Sequence, residues 1–169
     1  ITAASPAIQP IGAVTAIGAP CSVVENTFES DSAIRLFPER LNYVLPAPLT
    51  IDAQGTPGLV IPQGTAVNVY YVHADRVGDQ PGVDKQFRGS VTFDKQVLAV
   101  ITSGAALNAT HATLGNTQNA AVKTVYSARA DQGLDTGDVV TVSPNHNRVD
   151  FAFDVWNVVD QVRIITLAN

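Results

Sequence analysis

The chain is 169 residues long, 46% hydrophobic and only 15% charged, with 12 Gly, 10 Pro, one Cys and no Met. One domain is the expectation at this length, and so low a charge density excludes intrinsic disorder. The net charge of -5, without a basic cluster, excludes nucleic acid as a partner, and no apolar run reaches the roughly 18 residues of a membrane-spanning helix.

Residues 1–20, ITAASPAIQPIGAVTAIGAP, carry no charge and no aromatic. Their prolines forbid a helix but permit an extended strand. With the missing Met and no charge before Glu25, this end reads as the mature terminus left by signal cleavage, so an extracellular or cell-surface protein is expected. The predicted division is an extended segment over 1–20, a possible donor strand, followed by a β-sandwich domain over 21–169.

From Cys21 onward, short runs of Val, Ile, Tyr, Phe and Thr recur between turn residues, the pattern of an all-β fold. Strands are predicted at about 21–28, 32–37, 48–52, 65–73, 86–93, 96–102, 122–127, 137–142, 148–155 and 161–167. Tight hairpins are expected at Phe93–Val97 and at Ser143–Arg148. One short helix is expected within Ser103–Gly115, with Ser103 as its N-cap and Gly115 as its stop. The fold class is therefore an all-β sandwich, jelly-roll-like, with one short helix.

Chemistry is sparse. Asp75, Asp79 and Asp84 share one Gly-containing loop, and Asp131, Asp135 and Asp138 share another; oxygen-rich loops of this kind can hold calcium, the one cofactor considered. Arg76 or Arg129 can instead neutralise the same carboxylates. His73, His111 and His146 lack zinc-ligand spacing, although His73 and Asp75 fall on one strand face. Cys21 permits no internal disulfide and reads either as a small buried residue or as a thiol open to a second subunit. Tyr43, Tyr70, Tyr71, Tyr126 and Trp156 are candidate platforms for sugar rings, Trp156 and Tyr70 foremost. Asn108-Ala109-Thr110 is a glycosylation sequon. Glu25, Glu29 and Glu39 are the only glutamates available for a hydrolytic pair, and they cluster in one N-terminal stretch. No nucleophile elbow or phosphate loop is present in the sequence, so no enzyme is expected.

Seven phrases occur in order over residues 22–167: Ile34–Glu39, Ile61–Thr65, Tyr71–Gly78, Gly89–Asp94, Leu98–Ile101, the Ala106-Leu107 to Leu114-Gly115 stretch, and Asp160–Thr166. Together they resemble a β-rich domain of exported bacterial proteins, many of which carry an exosortase (PEP-CTERM) sorting tail. The resemblance implies a secreted domain of the cell surface or extracellular matrix, with no catalytic residues to carry over.

The functional expectation is a self-assembling subunit of an extracellular fibre, sheath or surface matrix, its main partner being another copy. The apolar leading segment can complete a neighbour's open sheet edge, with Ile8, Ile11, Val14 and Ile17 entering its core, or pack back on its own domain. The alternative is a carbohydrate-binding module with a cell-surface glycan as partner.

Overall fold

The structure is a computed structural model that describes residues 7–78, 85–119, 121–156 and 158–168. Its strands are β1 (Ile8–Gly12), β2 (Val14–Ala16), β3 (Ile34–Val44), β4 (Leu49–Ala53), β5 (Thr56–Ile61), β6 (Ala66–Ala74), β7 (Lys85–Phe93), β8 (Val97–Ile101), β9 (Val139–Val142), β10 (Arg148–Val155) and β11 (Asp160–Leu167), with one helix, α1 (Gly104–Leu114), between β8 and β9.

Two sheets build the sandwich. The first runs β1-β7-β10-β9 and the second β2-β3-β6-β11-β8, while β4 and β5 form a separate hairpin. β10 shows the half-buried alternation plainly: Val149, Phe151, Phe153 and Val155 point inward and the residues between them are partly or fully exposed. β6 and β11 read differently because their sheet is the middle of three layers. Tyr70, Val72, Val162 and Ile164 face the first sheet, whereas Val69, Tyr71 and Ile165 face an outer layer of α1 and the β4–β5 hairpin. Burial on both faces explains the largely apolar run of β6 and leaves the polar residues Gln161 and Arg163 of β11 inside the fold.

The leading segment belongs to both sheets. β1 pairs antiparallel with β7, from Ile8↔Phe93 to Gly12↔Gly89, and β2 pairs parallel with β3, from Val14↔Ile34 to Ala16↔Leu36. Gly12 makes the crossing: its φ is +71°, and a Cβ there would lie 2.8 Å from the Arg88 carbonyl oxygen. Pro10 sits in an edge strand, where a missing N–H is tolerated.

Three expectations are corrected. Residues 21–28 and 122–127 are not strands; they are irregular and meet through a single bridge, Ser22↔Val125. Phe93–Val97 is not a hairpin but a crossing between sheets, since β7 pairs in the first and β8 with β11 in the second. β5 was hidden by Pro57 and Gly58, which read as turn residues yet lie in an exposed hairpin strand. β3 runs to Val44 through Pro38 by two irregularities of register. Ser103 caps α1 by accepting a hydrogen bond from Ala106 N, and the Gly115 N–H closes the helix on His111 O, as the sequence predicts.

Candidate functional site

At one end of the sandwich the chain gathers carboxylates. Asp160 opens β11 on the face that turns toward the first sheet, the side it shares with Val162 and Ile164. Asp135 and Asp138 come from the loop leading into β9, an edge strand of that first sheet. One oxygen from each of the three lies within 4.8 Å of the others.

The loop is fixed by its own acids. Asp138 Oδ2 accepts from Asp135 N at 3.0 Å and its Oδ1 accepts from Asp154 N at 2.8 Å, which ties the loop to β10. Asp154 itself pairs with Arg88 at 3.0 Å. Asp160 is 1% exposed, and its Oδ1 has no hydrogen-bond partner. Burial, followed by the charge of Asp138, a side-chain hydrogen bond shared with Asp138, and the charges of Asp135 and Asp154, pushes the Asp160 carboxyl up to about 10. The donor set is all oxygen, the kind that hard cations take.

The acids predicted from sequence divide. Asp135 and Asp138 join this group, whereas Asp131 turns outward and binds Arg129 through two hydrogen bonds of 2.8 and 2.7 Å. That hydrogen-bonded guanidinium holds its carboxyl below the usual range. Asp75 is also outside the group: it is buried, accepts from Asn26 N at 2.8 Å, and lies 4.0 Å from His73. Asp79 and Asp84 lie outside the described residues. Sequence reasoning missed Asp160, which opens a strand that also carries Gln161 and Arg163, so its charge is not singled out locally.

A second polar cluster lies under α1. Arg163, fully buried in β11, donates from Nε and Nη2 to the two oxygens of Glu39 at 2.7 and 2.8 Å, and from Nη1 to Thr110 Oγ1 at 2.6 Å. Burial alone lowers the Arg163 pKa, but the Glu39 carboxylate outweighs it and the net shift is upward. The Tyr126 hydroxyl donates to Glu39 Oε1 at 2.5 Å. His111 Nδ1 accepts from Arg163 at 3.1 Å while its Nε2 bonds Ser127 O, and burial followed by the Arg163 charge lowers its pKa to about 4. A polar pocket of about 310 Å³ lies over Glu39, lined also by Arg40, Asn116 and Gln118. Both Glu39 oxygens are already engaged beneath it. Of the other glutamates, Glu25 is paired with Arg129 and Glu29 accepts from Gly78 N.

The aromatic candidates also separate. Trp156 is 47% exposed, immediately after β10 and four residues before Asp160. Tyr70 is no sugar platform: it is 2% exposed between the sheets, its ring 5.0 Å from Phe93. Tyr71 is wholly buried, bonding Gln161 Oε1 through its hydroxyl. Cys21 is exposed rather than buried. The Asn108 amide nitrogen of the sequon is engaged by the Ala128 and Arg129 carbonyls.

Of the segment residues expected to enter a core, Val14 is 5% exposed in the chain's own core, Ile8 and Ile17 pack against it, and Ile11 is 55% exposed. Comparison with known proteins gives no matching family model, no matching curated protein and no matching solved structure.

Proposed function

We propose that the chain is an exported, non-catalytic β-sandwich subunit of an extracellular assembly, joined to its neighbours by exchange of the leading strands. The observation that supports this is the double role of residues 8–16, which supply an edge strand to both sheets. The same bonds and the same Val14, Ile8 and Ile17 contacts are available in a neighbour's identical groove, so exchange conserves the folded contacts. Residues 18–20 form the natural hinge. They are irregular and contain Gly18, beside which a Cβ meets nothing within 4 Å, and the chain is fastened again at Ser22↔Val125.

Light scattering and negative-stain electron microscopy on the full chain and on a variant lacking residues 1–20 test this reading. Fibres or sheets from the full chain, and a folded monomer from the variant that recaptures an added 1–20 peptide, are the expected results. A full chain that stays monomeric at every concentration overturns it.

The exposed Trp156, four residues before Asp160 in the sequence, favours a second reading, a glycan-binding domain. Its test is binding to a glycan array that is lost in Trp156→Ala.

A further inference from the structure

We propose that Asp135, Asp138 and Asp160 form a calcium site that ties the edge of the first sheet to the start of β11. The converging oxygens are one observation: carboxylates bind calcium at about 2.3–2.6 Å, so oxygens around one ion fall within about 5 Å of each other, as these three do. The second is independent of the clustering. Asp160 is 1% exposed and its Oδ1 has no hydrogen-bond partner. A buried carboxylate oxygen left without a donor is costly, and a native fold normally satisfies it. Neither Asp138 nor Asp160 enters an ion pair among the described residues.

The donor chemistry selects the ion. Neither His nor Cys belongs to the group, which disfavours zinc and copper. Magnesium demands near-ideal octahedral geometry, whereas calcium accepts six to eight oxygens in irregular arrangement. Asp135 is exposed and Asp138 half-buried, so one side of the site is open to the waters that complete such a shell. Three carboxylates at a partly open site place the dissociation constant at about 0.1–1 mM, the range of extracellular modules.

Chelator-treated full-length protein is titrated with calcium chloride, and with magnesium chloride in parallel, while the heat of binding and the thermal midpoint are followed. A saturable calcium response with a rising midpoint is expected, at least about tenfold weaker for magnesium. Asp160→Asn removes the response while remaining folded in chelator, because the amide matches the carboxyl in size and shape at the buried position. Asp135→Asn, at the exposed position, weakens calcium binding without the risk of misfolding. Asp131→Asn, in the same loop but bound to Arg129, leaves the response unchanged. Absence of a saturable calcium response up to about 10 mM, or a response that survives Asp160→Asn, overturns the assignment.

Discussion

Breaking the Glu39–Arg163 pair from either side should cost far more than removing both partners. Both side chains have no solvent exposure, and in Arg163→Met the Glu39 carboxylate keeps only the Tyr126 hydroxyl as a donor. Leaving one charge of a buried pair alone typically costs about 3–5 kcal/mol, a large share of a domain's total of about 5–15 kcal/mol. With a urea dependence of about 2 kcal/mol per molar, the unfolding midpoint of Arg163→Met falls by about 2 M. Glu39→Gln is of similar size, since its amide turns a donor toward the guanidinium. In the double variant Glu39→Leu/Arg163→Met neither charge remains. Thr110 still donates to Ala106 O, and the Tyr126 oxygen still accepts from Asn116 N. Its loss should therefore be smaller than that of either single variant, and a double-mutant cycle by urea unfolding followed by circular dichroism measures this directly. Singles that cost less than about 1 kcal/mol, or a double equal to their sum, would refute the reasoning.

Two further predictions rest on other parts of the core. His73 is buried, bonded through Nε2 to Phe28 O and through Nδ1 to Gln161, and burial lowers its pKa from 6.5 to about 4. The unfolded chain therefore takes up the proton first, so this stability is complete above about pH 6.5 and is lost as pH falls toward 4, by about 3 kcal/mol in all. Asp160, with its raised pKa, pulls the opposite way over the same window. The acid limb is thus measured in Asp160→Asn, with and without His73→Gln; equal slopes would contradict the account. Gly104→Ala, favourable by helix propensity, should instead destabilise by about 1–3 kcal/mol, because its Cβ would lie 2.0 Å from the Ala130 carbonyl oxygen. A raised thermal midpoint for that variant would count against the packing of α1 on the Ala130 loop.

The sandwich was legible wherever one periodicity ruled a segment. β6, β7, β10 and β11 follow from alternation or from β-branched runs, and α1 from Ser103 and Gly115. Residues 21–28 misled because Val23 and Phe28 carry the composition of a strand; Val23 is instead a single buried anchor in an irregular stretch. Two of the three acids of the site were visible, since Asp135 and Asp138 lie three residues apart. Asp160 was not, because only the pairing of β11 with β6 and β8 brings it to that end of the fold. The Glu39–Arg163 pair is separated by 124 residues, and nothing local marks it. Tyr70 was misread because alternation on one strand does not reveal that its sheet is covered on both faces.

The central claim, exchange of the leading strands, is tested most directly by a disulfide across the β1–β7 pairing. Gln9 and Thr92 are register partners, so Gln9→Cys/Thr92→Cys, with Cys21→Ser to remove the native thiol, reports which copy supplies the strand. Assembled protein oxidised and run on a denaturing, non-reducing gel should give a ladder of covalent multimers. A single band of internally closed monomer would contradict strand exchange and leave residues 8–16 as the first strands of their own domain.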